Sequence, residues 1–122
     1  MKTVAVSQRI DDYPERNERR DALDQNLSSF LITSGFIPIS VPNRLTKQVV
    51  EPGAENQNEL GSWLEIFNPN AILLSGGNDV GSCPDRDRTE KNLIEFAAKR
   101  NLPVLGICRG MQMMATLSGS SL

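Results

Sequence analysis

Four short apolar runs alternate with helix-like segments along the chain, and this alternation constrains the fold more than any other feature. Short runs rich in Val, Ile and Leu are typical of buried parallel strands. Strands joined by helices form right-handed βαβ units around a parallel sheet. The sequence therefore predicts a doubly wound α/β fold with helices on both faces. The runs are residues 3–7, 36–41, 71–74 and 103–107.

The segments between the runs supply the helices. Apolar residues recur at helical spacing, so each predicted helix has one buried face. Pro14 lies in a polar stretch that predicts a loop, and Pro38 places the second strand toward a sheet edge. The predicted helices are residues 17–34, 60–67, 89–100 and 110–117.

Composition indicates one small globular domain, residues 1–122. Apolar residues make up 39% of the chain, which is too many for a disordered protein, and a net charge of -2 excludes a basic nucleic-acid footprint. The apolar runs fall far short of the roughly 20 residues that span a bilayer. The N-terminus lacks the apolar core of a signal peptide, so we expect a cytoplasmic protein with Cys83 and Cys108 as free thiols and no bound metal.

The sequence GICRG, residues 106–110, follows the fourth predicted strand and precedes a predicted helix. This G-x-C-x-G pattern is that of a nucleophile elbow with cysteine as the nucleophile. The N-terminus of the following helix would favour a thiolate at Cys108. The alternative is that Cys108 is a small core residue, the commonest role of a free cysteine.

A second glycine pair favours the catalytic alternative. The sequence SGGND, residues 75–79, follows the third strand, and adjacent strands would bring it beside Cys108. Backbone N–H groups of the Gly76-Gly77 pair and of Arg109 could then supply the oxyanion donors. Asn78 could contact substrate, although Asn after Gly-Gly is also an ordinary turn former.

Two further segments have simpler interpretations. Residues 86–90, RDRTE, have the pattern of a capped helix start. Cys83, in a polar loop beside Pro84, is interpreted as an incidental exposed thiol.

Three segments of the chain together resemble the class I glutamine amidotransferases. They are GICRGMQ after the PVL strand, LLSGGND, and RDRTE. Within them the chain is most similar to the γ-glutamyl hydrolase branch, the peptidase C26 type. The resemblance spans the chain from TVAVSQR onward and implies a flavodoxin-like domain, of which these residues would be the N-terminal part. The chain would then be truncated relative to the family.

The resemblance also implies a reaction and its residues. Cys108 would attack the δ-amide of glutamine or a γ-glutamyl amide and form a γ-glutamyl thioester that water hydrolyses. Gly77 and Arg109 would form the oxyanion hole, while Gly76, Asn78 and Gln112 would hold the glutamyl group. No cofactor is implied, and a synthetase partner would receive ammonia in an amidotransferase.

The sequence departs from the family in having no histidine. In the family, the catalytic His and Glu lie downstream of the position that matches Leu122, so a full triad cannot form within this chain. A catalytically dead binding or assembly module is the alternative, and an unrelated flavodoxin-like domain with a coincidental GxCxG is a third. A sheet ending after its fourth strand would leave an edge exposed, for which we expect self-association.

We predict that these 122 residues alone have no glutaminase turnover, because no imidazole can exchange protons with Cys108 or the leaving amine. Ammonia release from glutamine is the measurement. A rate comparable with that of an enzyme carrying a complete triad would contradict the prediction.

Overall fold

The computed structural model describes residues 2–46, 58–78 and 81–107, where helices and strands alternate as predicted except for a hairpin of two further strands after the first strand. The predicted helix over residues 110–117 lies outside these ranges. None of the described helices is long and apolar enough to cross a membrane. In chain order the elements are β1 (Lys2–Val6), β2 (Arg9–Tyr13), β3 (Glu18–Ala22), α1 (Gln25–Thr33), β4 (Phe36–Ser40), α2 (Leu60–Phe67), β5 (Ala71–Leu74), α3 (Pro84–Arg100) and β6 (Val104–Gly106).

The central sheet has the strand order β4-β1-β5-β6, with every described pair parallel. Its strands match the four predicted runs to within a residue or so at each end. Among the described strands, β4 lies at an edge and pairs its Pro38 with Val4 of β1. A proline cannot donate a ladder hydrogen bond, which fits the predicted edge position.

Helices cover both faces of the sheet. Val4 and Val6 of β1 lie on the face covered by α1, where Leu31 packs. Ala5, between them, faces the opposite way into a core built with α2 and α3. This alternation confirms the doubly wound α/β fold. The buried residues of the α2–α3 side are Ala5, Val41, Leu60, Leu64, Ile72, Leu74, Leu93 and Ala97.

The polar segment after β1 is an antiparallel hairpin, β2–β3, rather than the predicted loop and helix start. The prediction that a helix begins near residue 17 was wrong, since Asn17 adopts a left-handed turn conformation (φ 52) between the two strands. Helix α1 begins at Gln25, where the Asp24 side chain accepts a hydrogen bond from the Asn26 N–H at 2.8 Å. The hairpin was not predicted because its two strands lack an alternating apolar pattern. Ile10 is the only buried residue in these strands.

Helix α3 begins at Pro84, five residues before the predicted start at residue 89. Proline is well suited to the first turn, where its missing N–H costs nothing. Asp85 and Asp87 add negative charge to that turn, which favours the N-terminal end of the helix dipole. The additional turn carries Arg86 into the interior of the protein.

We predict that Leu93→Ala lowers the free energy of unfolding by about 2–5 kcal/mol, because Leu93 is fully buried in the α2–α3 core and its truncation leaves a cavity. Urea denaturation measures the loss. Ile66→Ala is the matched control, since Ile66 is 79% exposed, and we expect a change within about 0.5 kcal/mol. Equal losses in the two variants would contradict the described core.

Candidate active site at the carboxyl edge of the sheet

The loop after β5 reverses the chain through the glycine pair, as predicted. Gly77 has φ +91, a conformation that L side chains rarely adopt. A Cβ added to Gly77 would lie 3.0 Å from Cβ of Arg9, which closes over the loop from the hairpin. Gly77 is therefore required both by its backbone conformation and by its close neighbour.

A fully buried arginine, Arg86, binds the backbone carbonyl groups of this loop. Nη1 of Arg86 donates to the carbonyl oxygens of Gly76 at 2.9 Å and Gly77 at 3.0 Å. Nη2 donates to the Ser75 carbonyl and to Ser75 Oγ at 3.1 Å. A single guanidinium thus holds three consecutive carbonyl groups, a geometry that its planar fork of donors permits.

The charge of Arg86 is balanced by Glu90, one turn further along α3. Arg86 Nη2 and Glu90 Oε2 are 3.3 Å apart, and both side chains are fully buried. Ser7, directly after β1, donates its hydroxyl to Glu90 Oε2 at 2.6 Å and accepts the Ser75 N–H at 2.9 Å. These side chains connect the carboxyl ends of β1 and β5 to α3.

The interpretation of residues 86–90 as a capped helix start was wrong. The N-cap of α3 is Cys83, which makes no side-chain capping hydrogen bond, and Arg86 and Glu90 are core residues. The sequence does contain a pattern that indicates the burial of Arg86 and Glu90. Positions 86 and 90 fall at helical spacing with the apolar Leu93 and Ala97, so all four share one face of α3. A charged pair continuing an apolar stripe indicates a buried ion pair.

The Asn78 side chain joins the loop to the hairpin. Its Oδ1 accepts the Ile10 N–H at 2.8 Å and its Nδ2 donates to the Ile10 carbonyl at 3.1 Å. Both polar groups of the amide are therefore occupied by backbone of β2. Asn78, predicted as a substrate contact, lies beside the site with its side chain turned toward the hairpin.

A cavity of about 290 Å³ opens where β5 and β6 end. The two strands are neighbours, with Leu74 paired to Gly106 and the Ile107 N–H donated to the Leu74 carbonyl at 2.9 Å. The predicted adjacency of the two loops is thus confirmed up to Ile107. The cavity is lined by Arg9, Ala22, Leu23, Asp24, Leu27, Ser75, Gly76, Gly77 and Ile107.

The remaining predicted site residues, Cys108, Arg109 and Gln112, lie outside the described residues. Cys83 is a free thiol, as expected. The prediction that it is exposed was wrong: Cys83 is the N-cap residue of α3 and is only 8% exposed. Within the described ranges, no group of three or more His, Cys, Asp or Glu side chains could hold a metal ion.

The sequence profile described as peptidase C26 matches residues 4–122. The chain belongs to the peptidase C26 family. It is similar to a candidate glutamine amidotransferase of Schizosaccharomyces pombe, with 51% identity over 94 residues that make up 75% of this chain and 36% of the relative.

Two further relatives carry more specific names. Gamma-glutamyl-CDP-amidate hydrolase of Campylobacter jejuni is 45% identical over 51 residues, 37% of this chain and 26% of the relative. The glutamine-hydrolysing GMP synthase of Ehrlichia canis is 34% identical over 80 residues, 57% of this chain and 15% of the relative. The aligned part of the chain thus spans between 15% and 36% of the length of these three relatives.

We predict that Arg86→Ala costs about 3–5 kcal/mol of unfolding free energy, because it leaves the Glu90 carboxylate buried without its counter-ion. The urea midpoint at neutral pH is the measurement. Lys91→Ala on the exposed side of the same helix is the control and should change stability by less than about 0.5 kcal/mol. A loss of under about 1 kcal/mol for Arg86→Ala would show that the described burial is incorrect.

Proposed function

We propose that this chain supplies the nucleophile and the oxyanion site of a cysteine-dependent hydrolase or amidotransferase acting on a γ-glutamyl amide. Cys108 is the nucleophile, and backbone N–H groups of Gly77 and Arg109 are the oxyanion donors. Gly76 and Gln112 contact the glutamyl group. The family membership and the γ-glutamyl chemistry named for the Campylobacter jejuni relative support this assignment.

One observation carries the proposal. Neighbouring strands β5 and β6 bring Gly76, Gly77 and Ile107 to the lining of one cavity, and Cys108 is the next residue in the sequence after Ile107. A nucleophile needs oxyanion donors within hydrogen-bond reach of the carbonyl that it attacks. The packing of this edge supports such proximity, because Gly77 and the residue that precedes Cys108 line the same cavity.

The cavity also has charges that suit a glutamyl group. Arg9 and Asp24 place one positive and one negative side chain on its wall. A γ-glutamyl group ends in an α-carboxylate and an α-ammonium, which these two side chains complement. The amide to be cleaved would lie at the other end of the group, toward Gly77 and Ile107.

The proposed chemistry has two halves. The Cys108 thiolate forms a C–S bond to the γ-carbonyl carbon, and the carbonyl electron pair moves onto oxygen, where Gly77 and Arg109 donate hydrogen bonds. The pair returns as the C–N bond breaks, and the amine leaves with a proton taken from a water molecule. The hydroxide that remains attacks the thioester carbonyl, which gives glutamate and returns the cysteine thiol. The sequence contains no histidine that could transfer these protons.

A second candidate function follows from that missing imidazole. The same fold could serve as a catalytically inactive binding or assembly module that holds γ-glutamyl compounds without turnover. A synthetase that accepts ammonia is the partner suggested by the GMP synthase relative. Self-association through the sheet edge formed by β6 stays a prediction for either candidate.

We predict that a glutamine-like chloroketone alkylates Cys108 at least about tenfold faster than Cys83, because it occupies the glutamyl site while the ketone oxygen reaches the oxyanion donors. Mass spectrometry of digested protein gives both rates. Free glutamine should protect Cys108, and Cys108→Ser should abolish the labelling.

Burial of Cys83 slows its reaction with any reagent, so iodoacetamide is the necessary control. The preference for Cys108 must be larger with the glutamine-like reagent than with iodoacetamide. An equal preference with both reagents would refute the γ-glutamyl site. If glutamine protects Cys108 from iodoacetamide but the chloroketone does not alkylate Cys108, the binding module is favoured.

A further inference from the structure

We propose that Arg86, charge-balanced by Glu90, is the positioning residue that aims the Gly77 N–H into the cavity. This inference rests on the proposed function, in which Gly77 is an oxyanion donor. Arg86 touches no substrate in this arrangement. It acts through the peptide groups that join residues 75–78, since it binds the carbonyl oxygens of Ser75, Gly76 and Gly77.

The geometry of a trans peptide makes this action specific. The C=O of one residue and the N–H of the next belong to one planar group and point in opposite directions. Arg86 Nη1 holds the Gly76 carbonyl at 2.9 Å, so the Gly77 N–H must point away from Arg86. Among the described residues, that N–H donates to no acceptor, and Gly77 lines the cavity.

The neighbouring carbonyl groups prevent the peptide from rotating. Gly77, with φ +91, has no side chain to limit its backbone, and a free glycine loop would populate several orientations of this N–H. Arg86 also binds the carbonyls of Ser75 and Gly77 on either side. Three carbonyls fixed on one rigid guanidinium leave one orientation, which is the preorganisation that an oxyanion site needs.

Ser7 and Glu90 hold the guanidinium itself in place. Glu90 Oε2 accepts from both Arg86 Nη2 and Ser7 Oγ, while Ser7 Oγ also accepts the Ser75 N–H. Apolar residues often replace a buried ion pair with no loss of stability. A buried pair in which both Nη groups of the arginine bind one glycine loop is therefore better explained by positioning than by stability.

Two variants loosen this arrangement in different ways. Arg86→Lys keeps the positive charge beside Glu90 but replaces the fork with an ammonium that cannot span three carbonyls. Ser7→Ala removes the hydroxyl that connects Glu90 to the Ser75 N–H, with a smaller effect on folding. Ser7→Thr keeps the hydroxyl and is the conservative variant. Leu60→Ala, a buried residue of α2, controls for general destabilisation.

The readout is a ratio of two alkylation rates at Cys108. The glutamine-like chloroketone places a carbonyl oxygen in the oxyanion site, whereas iodoacetamide displaces iodide without forming an oxyanion. Their ratio therefore reports the orientation of the donors and not the general accessibility of the thiol. We predict that the ratio falls about tenfold in Arg86→Lys and in Ser7→Ala. It should stay within about twofold of the wild-type value in Ser7→Thr and in Leu60→Ala.

The outcomes separate this inference from the proposed function. A wild-type chain with no preference for the chloroketone overturns the function, and the positioning role falls with it. A wild-type preference that persists in both loosened variants overturns the positioning role alone. An equal fall in Leu60→Ala also overturns it, since any destabilisation would then suffice. If Arg86→Lys does not fold, Ser7→Ala with its Ser7→Thr partner decides the question.

Discussion

The ion pair between Arg86 and Glu90 is the interaction on which the carboxyl edge of this sheet depends. A guanidinium and a carboxylate withdrawn from water each incur a desolvation cost of several kcal/mol, which their mutual attraction offsets only with the help of further hydrogen bonds. Here the partners come from the Ser75 loop and from Ser7, so α3, β1 and β5 are joined at one point. The loop cannot move away without leaving N–H donors of the buried guanidinium with no acceptor. Its rigidity is thus a consequence of electrostatics in a dry interior, not of its own sequence, which is two glycines.

Much of the sheet and the relation of the two loops could be predicted from sequence. Buried parallel strands have a strong local signal, because both of their faces are apolar, and residues 71–74 are recognisable for that reason. The topology of βαβ units then determines which loops meet, since carboxyl ends of parallel strands lie on one edge. The position of Gly77 and Ile107 at one cavity could therefore be predicted without knowing any tertiary contact.

The features that escaped prediction share one cause, which is that polar residues were taken to be solvated. Arg86 is charged and adjacent to two aspartates, so a surface position is the natural expectation, yet it is fully buried. The β2–β3 hairpin has hardly any apolar alternation, and its pairing is recognisable only once the Asn17 turn and the ion pair between Arg19 and Asp12 are known. In both cases long-range partners decide the structure. The local pattern shows at most that Arg86 and Glu90 share a helix face with Leu93, and it does not identify Ser7 or the glycine loop as their partners.

The attachment of the hairpin has a consequence for how the family can diversify. Arg9 and Ala22 of the hairpin form one wall of the cavity, while Gly76 and Gly77 of the loop form the facing one. The two walls are joined through the Asn78 amide, which bonds to backbone atoms of Ile10 and so places no demand on the side chains of β2 and β3. Substitutions in the hairpin can accumulate without disturbing either hydrophobic cluster of the sheet. Hairpin residues of this wall other than Arg9 are therefore open to substitution, while the wall built on Arg86 keeps the same geometry.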